Sequence, residues 1–131
     1  MVTKVNGVTV PLGDQYALIP TEITAIKTAR DNYNSFIQGF ASANTSRIAL
    51  ADVSAAFSTL VTNKAAVYNG VTLTPNINPP TGIYSEDGVH PNSRGYAFIA
   101  NVFIDAINAK FTAVIPKADV STYKATGLPI P

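Results

Sequence analysis

The chain is 131 residues long, which is the length of one domain, and its 47% hydrophobic content excludes a disordered chain. Only 13% of residues are charged, and nine basic and eight acidic side chains leave a net charge of +1 with no cluster of either sign, which excludes a nucleic-acid binder working through a basic face. No cysteine is present, so disulfides, thiolate catalysis and Cys-ligated zinc are excluded as well.

The first residues lack the apolar run of a signal peptide. Residues 5–10, Val-Asn-Gly-Val-Thr-Val, alternate around an Asn-Gly pair and predict a short hairpin or extended arm. Pro11 to Asp14 turn the chain. From 20 to about 43, Ile23, Ile26, Tyr33, Ile37 and Phe40 form one stripe, with Lys27, Arg30, Asp31 and Gln38 off it. That spacing predicts an amphipathic helix, ended by Asn44-Thr45-Ser46. Arg47-Ile48-Ala49-Leu50-Ala51-Asp52-Val53 is a compact apolar run that predicts a buried parallel strand. Asp52 or Ser54 is placed to cap a short helix reaching about 65.

Residues 68–74 alternate and predict a strand or hairpin arm, and the Pro- and Gly-containing stretch 76–84 predicts an irregular loop. A second strong helix is predicted from 93 to 111, with Tyr96, Ile99, Phe103 and Ile107 inward and Pro116 as its stop. Its apolar stretch 97–107 is interrupted by Asn101 and Asp105 and is too short to span a bilayer. Phe36, Phe40, Phe98, Phe103 and Phe111 sit at core-like spacing. The order helix, strand, helix, strand, helix predicts an α/β chain, divided into an arm (1–19), an α/β core (20–115) and a tail (116–131) that wraps the surface. Only one segment reads as a fully buried strand, so the pattern is that of part of a layered α/β structure.

The segment Tyr84-Ser85-Glu86-Asp87-Gly88-Val89-His90-Pro91-Asn92-Ser93-Arg94-Gly95-Tyr96 holds the chain's single histidine and two adjacent carboxylates. An aspartate three residues before a histidine, on a loop entering a helix, can accept a hydrogen bond from one imidazole nitrogen and leave the other as a base. Pro91 restricts His90 to extended backbone and helps aim its ring. Asn92 or Ser93 is placed to cap the helix. A purely structural role for the same residues is a turn (Asp-Gly) followed by a helix start (Pro, then Asn or Ser).

Asp87-Gly88-Val89-His90-Pro91-Asn92, followed by Arg94-Gly95-Tyr96 and Ile99-Ala100-Asn101, resembles the C-terminal block of SGNH hydrolases, the GDSL-type lipases and esterases. The Asn-Gly arm with Leu12 and Asp14, the helix after Pro20-Thr21-Glu22, the 48–52 strand and Ala106-Ile107-Asn108 are similar to the final third of large bacterial members. The resemblance implies a partial three-layer α/β/α fold, flavodoxin-like and lacking its N-terminal strands. It implies that His90 is general base and then acid, with Asp87 orienting it. It also implies an ester substrate, such as a lipid or acylated carbohydrate, no cofactor, and an exported protein.

The family's Gly-Asp-Ser motif is absent. Gly13-Asp14-Gln15 has glutamine where the nucleophile belongs, and the stretch between Asp14 and Asp87 cannot hold the family's full sheet at about 30 residues per βαβ unit. Ser85 lies on the same short loop as the pair, without the strained turn that activates a serine. The expectation is therefore a C-terminal portion of an ester hydrolase carrying base and acid, with the nucleophile and oxyanion hole on a missing N-terminal region. The alternative is a non-catalytic module that self-associates through an exposed sheet edge or apolar helix faces. A third reading makes Glu86, Asp87 and His90 weak metal ligands, with no second histidine to complete a zinc triad; no metal is assigned. Ile83 and Tyr84 are expected to pack the loop against the last helix rather than line an acyl pocket, and Arg94 to be solvated or salt-bridged.

Overall fold

The computed structural model describes residues 3–126 as two compact units, one ending at Thr45 and one beginning at Ser46. In the first, Val5 to Val10 form a compact turn in which the Gly7 amide donates to the Val10 carbonyl at 2.8 Å, and a 3-10 turn follows at Asp14–Tyr16. Helix α1 spans Pro20–Ala43. Pro20 suits its first turn because proline has no amide to leave unpaired there, and Glu22 accepts from the Ile19 amide at 3.1 Å. The Asn44 side chain donates to the Phe40 carbonyl at 2.8 Å and closes the last turn. The predicted stripe exists, yet Ile26, Tyr33, Ile37 and Phe40 are all exposed. A single helix and a short arm provide no second layer to cover it within this unit.

The second unit departs from the predicted order at its start. Residues 47–52 form no strand, and Leu50 is exposed. A buried parallel strand requires neighbours on both sides, and no strand among the described residues pairs with this run. Asp52 does cap the next helix, α2 (Val53–Asn63), accepting from the Ala55 amide at 2.8 Å; Lys64 ends it in the left-handed region. Among the described residues the only sheet is an antiparallel hairpin of β1 (Ala66–Tyr68) and β2 (Val71–Leu73), in register Ala66 with Leu73 and Tyr68 with Val71. Its turn is Asn69-Gly70, both at positive φ, the pair that matches the right-handed twist of a two-residue hairpin. The described chain is thus mixed α/β.

Helix α3 spans Ser93–Phe111 as the periodicity predicts, but only part of the predicted inner face packs: Ile99 lies against the core and Ile107 is half-buried. Gly95, Ala97, Phe98 and Asn101 face inward, whereas Tyr96 and Phe103 are 56% and 49% exposed. Leu60 from α2, Leu73 from β2, Ile83 and Phe98 form the core. The Phe98 ring lies 5.5 Å from Phe57 and 5.4 Å from Tyr68, edge-on to both, an arrangement favoured by ring quadrupoles. Of the five phenylalanines at core-like spacing, only Phe98 is among the buried residues.

The small and polar residues on α3 have a clear use, because the C-terminal segment returns along them. Asn108 exchanges two hydrogen bonds with the backbone of Ile115, each 2.9 Å, and Asn101 exchanges two with Ala118, each 2.8 Å. Further along, the Arg94 amide donates to the Lys124 carbonyl and its Nε to the Tyr123 carbonyl. At the helix start, the Asn92 side chain reaches the Ala125 carbonyl at 2.6 Å. Asparagine offers a donor and an acceptor in the spacing of a peptide group, so side chains of α3 pair with the backbone of the returning segment, which makes a 3-10 turn at Val120–Thr122. Val120 from this segment is fully buried. The tail is therefore built into the unit as far as Thr126; residues 127–131 lie outside the described residues.

The burial of Phe98 rather than Phe103 on α3 has a direct test. Phe98→Ala is expected to lower unfolding free energy by about 3–5 kcal/mol, and Phe103→Ala by about 0.5 kcal/mol or less, measured by urea denaturation. Equal losses would restore the face predicted from apolar spacing.

Candidate functional site

The loop carrying Asp87 and His90 is held at its base by two backbone bonds. The Ser85 amide donates to the His90 carbonyl at 2.8 Å, and the Asn92 amide to the Ile83 carbonyl at 2.9 Å. Between them, the Gly88 amide donates to the Ser85 carbonyl at 3.0 Å, closing a turn with Glu86 and Asp87 in its centre. Serine at the first position and glycine at the fourth are the residues this turn favours, and Gly88 takes φ +71, which a side chain would strain.

The second anchor is Asn92. The two N–H groups of its buried side-chain amide are shared among the carbonyls of Gly82, Tyr84 and Ala125, and its oxygen accepts from the Gly95 amide at 3.0 Å as the N-cap of α3. One side chain thereby joins the incoming loop, the helix start and the C-terminal segment. Gly95 allows the close approach, since the Ile83 carbonyl occupies the place a Cβ would take. Thr126 adds a hydrogen bond to the Glu86 carboxylate at 2.8 Å.

On this frame, His90 Nδ1 lies 2.6 Å from Asp87 Oδ2. The other carboxylate oxygen, Oδ1, accepts from the Ser85 hydroxyl at 2.7 Å and from the amides of Val89 and His90, each at 2.9 Å. A carboxylate in this setting is an acceptor only, so a neutral imidazole donates from Nδ1 and leaves the Nε2 lone pair free. The His90 side chain is 72% exposed and that of Asp87 50%, so the base stands open to an approaching group. The imidazole hydrogen bond, then the Val89 amide, the Ser85 hydroxyl and the His90 amide, hold the Asp87 carboxyl well below its ordinary value.

The structure brings Asp87 and His90 together, and Ser85 with them, but in a different role from nucleophile. The Ser85 hydroxyl is given to the acid of the pair, and no hydroxyl among the described residues is hydrogen-bonded to Nε2. Ile83 is fully buried in the core with Phe98, and Tyr84 packs on Phe57 at 5.9 Å, so both hold the loop down. Arg94 is half-buried and forms no ion pair among the described residues. Its guanidinium donates to the carbonyls of Tyr123 and Pro80, because the returning segment and the proline loop present backbone oxygens there. The roles of Asn92 and Arg94 as links to the C-terminal segment have no signal in the sequence beyond residue type, since their partners lie up to 33 residues away.

Beside α3, Ser93, Tyr96, Ala97, Ala100, Ala118 and Tyr123 line an open, mostly apolar groove of about 370 Å³. Among the described residues, no three His, Asp or Glu side chains are grouped to hold a metal ion, and no helix is long and apolar enough to cross a membrane.

The sign of the Asp87 shift sets a pH dependence. Its carboxylate bonding contributes fully to stability above the ordinary value of 3.8 and is lost as pH falls from there through the lower folded value. Carbon-13 NMR titration is expected to show Asp87 still ionised at about pH 3, below the reference carboxylate midpoint; a midpoint near 3.8 would mean the four donors do not act on it. No protein-family model matches the chain, and neither a curated protein nor a solved structure is significantly similar to it.

Proposed function

We propose that this chain supplies the acid–base pair of an SGNH-type ester hydrolase. The observation that carries the reading is the bonded Asp87–His90 pair, with the His90 side chain largely exposed, on the Asp-x-x-His-Pro segment that resembles that family's C-terminal block. In such a reaction, His90 Nε2 takes the proton of a nucleophilic hydroxyl and later returns it to the leaving group, while Asp87 holds the ring and stabilises the imidazolium. The mixed α/β unit from Ser46 onward is, on this reading, part of a three-layer α/β/α domain.

The serine and the oxyanion donors of that reaction come from outside these residues. Base and acid alone supply little of the transition-state stabilisation, most of which comes from donors aimed at the developing oxyanion. The chain is therefore expected to hydrolyse p-nitrophenyl acetate no faster than its His90→Ala variant, and to take up no covalent label from a fluorophosphonate probe. A His90-dependent rate with covalent labelling would place the nucleophile within these residues and overturn the division.

A second reading, a self-associating module without catalysis, is favoured by one observation, the exposed stripe Ile26, Tyr33, Ile37 and Phe40 on α1. Light scattering after size exclusion separates the two. A monodisperse dimer supports the module, and a monomer or a polydisperse sample supports the hydrolase portion.

A further inference from the structure

We propose that Ser85 is a positioning residue whose hydroxyl aims the Asp87 carboxylate at His90. This rests on the reading of Asp87 and His90 as an acid–base pair and assigns Ser85 a task within it.

Three donors converge on Asp87 Oδ1, and they come from two directions along the chain. The Val89 and His90 amides follow the aspartate, whereas the Ser85 hydroxyl precedes it. Two adjacent amides on one side fix an oxygen but leave the carboxylate plane free to tilt about them. A donor from the opposite limb removes that tilt. With Oδ1 surrounded, Oδ2 is the oxygen left for the imidazole, and it holds Nδ1 at 2.6 Å. Charge-assisted bonds of this kind are the strong ones, and they are sensitive to aim.

The Ser85 backbone is tied down independently of its hydroxyl. Its amide donates to the His90 carbonyl at 2.8 Å and its carbonyl accepts from the Gly88 amide at 3.0 Å. Removing the hydroxyl therefore leaves both loop-closing bonds in place and takes away only the third donor to the carboxylate. The same geometry explains why a serine so close to a base is not the nucleophile: its proton is already directed at the acid.

The single histidine makes the test direct, because the whole chain gives one imidazole Nδ1–H resonance. Its solvent-exchange rate is measured by NMR in the unaltered chain and in Ser85→Ala, Ser85→Thr and Asp87→Asn, alongside protection of the residue 85 amide. The proposal expects exchange about three- to tenfold faster in Ser85→Ala, return to within about twofold in Ser85→Thr, and an unchanged residue 85 amide. Unaltered exchange in Ser85→Ala, with the bond lost in Asp87→Asn, would overturn the role of Ser85 and leave the pair standing. Unaltered exchange in Asp87→Asn as well would remove the pair itself and the proposed function with it. Loss of the residue 85 amide protection in Ser85→Ala would mean that the hydroxyl holds the loop rather than the carboxylate, which also overturns the proposal.

Discussion

The carboxamide of Asn92 is the joint on which the unit from Ser46 onward depends. It binds the carbonyls of Gly82, Tyr84 and Ala125 and caps α3 through the Gly95 amide, all from a buried position. Buried backbone groups cost free energy when left unpaired, and these four lie in three different segments of the chain. Gathering them on one short, uncharged side chain, whose two N–H groups the three carbonyls share, fixes the direction in which the Asp87–His90 loop leaves the core. Asn101 and Asn108 repeat the device further along α3, so the C-terminal segment is held by side chains acting as a strand would.

From that joint, the chemistry follows in short steps. The loop is closed at its base by Ser85 and His90, turned by Gly88, and filled by the Asp87 carboxylate. Four donors within a six-residue stretch make Asp87 a stronger acid and an oriented acceptor. His90 is then oriented through Nδ1 while its side chain stays largely exposed. Orientation comes from the loop itself, and exposure comes from its projection beyond the core that Ile83 and Tyr84 anchor.

What was legible in the sequence was what is local. The caps at 52 or 54 and at 92 or 93, which the structure assigns to Asp52 and Asn92, and both bounds of α3 follow from residues within a few positions of one another. The Asp87–His90 contact is also local, three residues apart, and so the spacing pointed to it. What failed depended on distant partners. Residues 47–53 have the composition of a buried strand, but composition does not supply the neighbouring strands that a ladder needs. On α3, apolar spacing selects Tyr96, Ile99, Phe103 and Ile107, of which Ile99 packs on the core while Tyr96 and Phe103 stay exposed; the buried face is set instead by Gly95, which permits backbone contact, and by Asn101, which meets Ala118. The three-way role of Asn92 and the turning of Ser85 toward Asp87 are likewise consequences of the assembled fold.

The acid–base role of this loop depends on His90 being held through Nδ1 with Nε2 left as the base. Nitrogen-15 NMR of the single imidazole in its neutral form reports the tautomer directly. The geometry predicts one dominant form protonated at Nδ1, because the Asp87 carboxylate accepts there. A ring protonated mainly at Nε2, or exchanging between tautomers as free imidazole does, would show that Asp87 does not orient His90 and would contradict the assignment of this loop as an acid–base site.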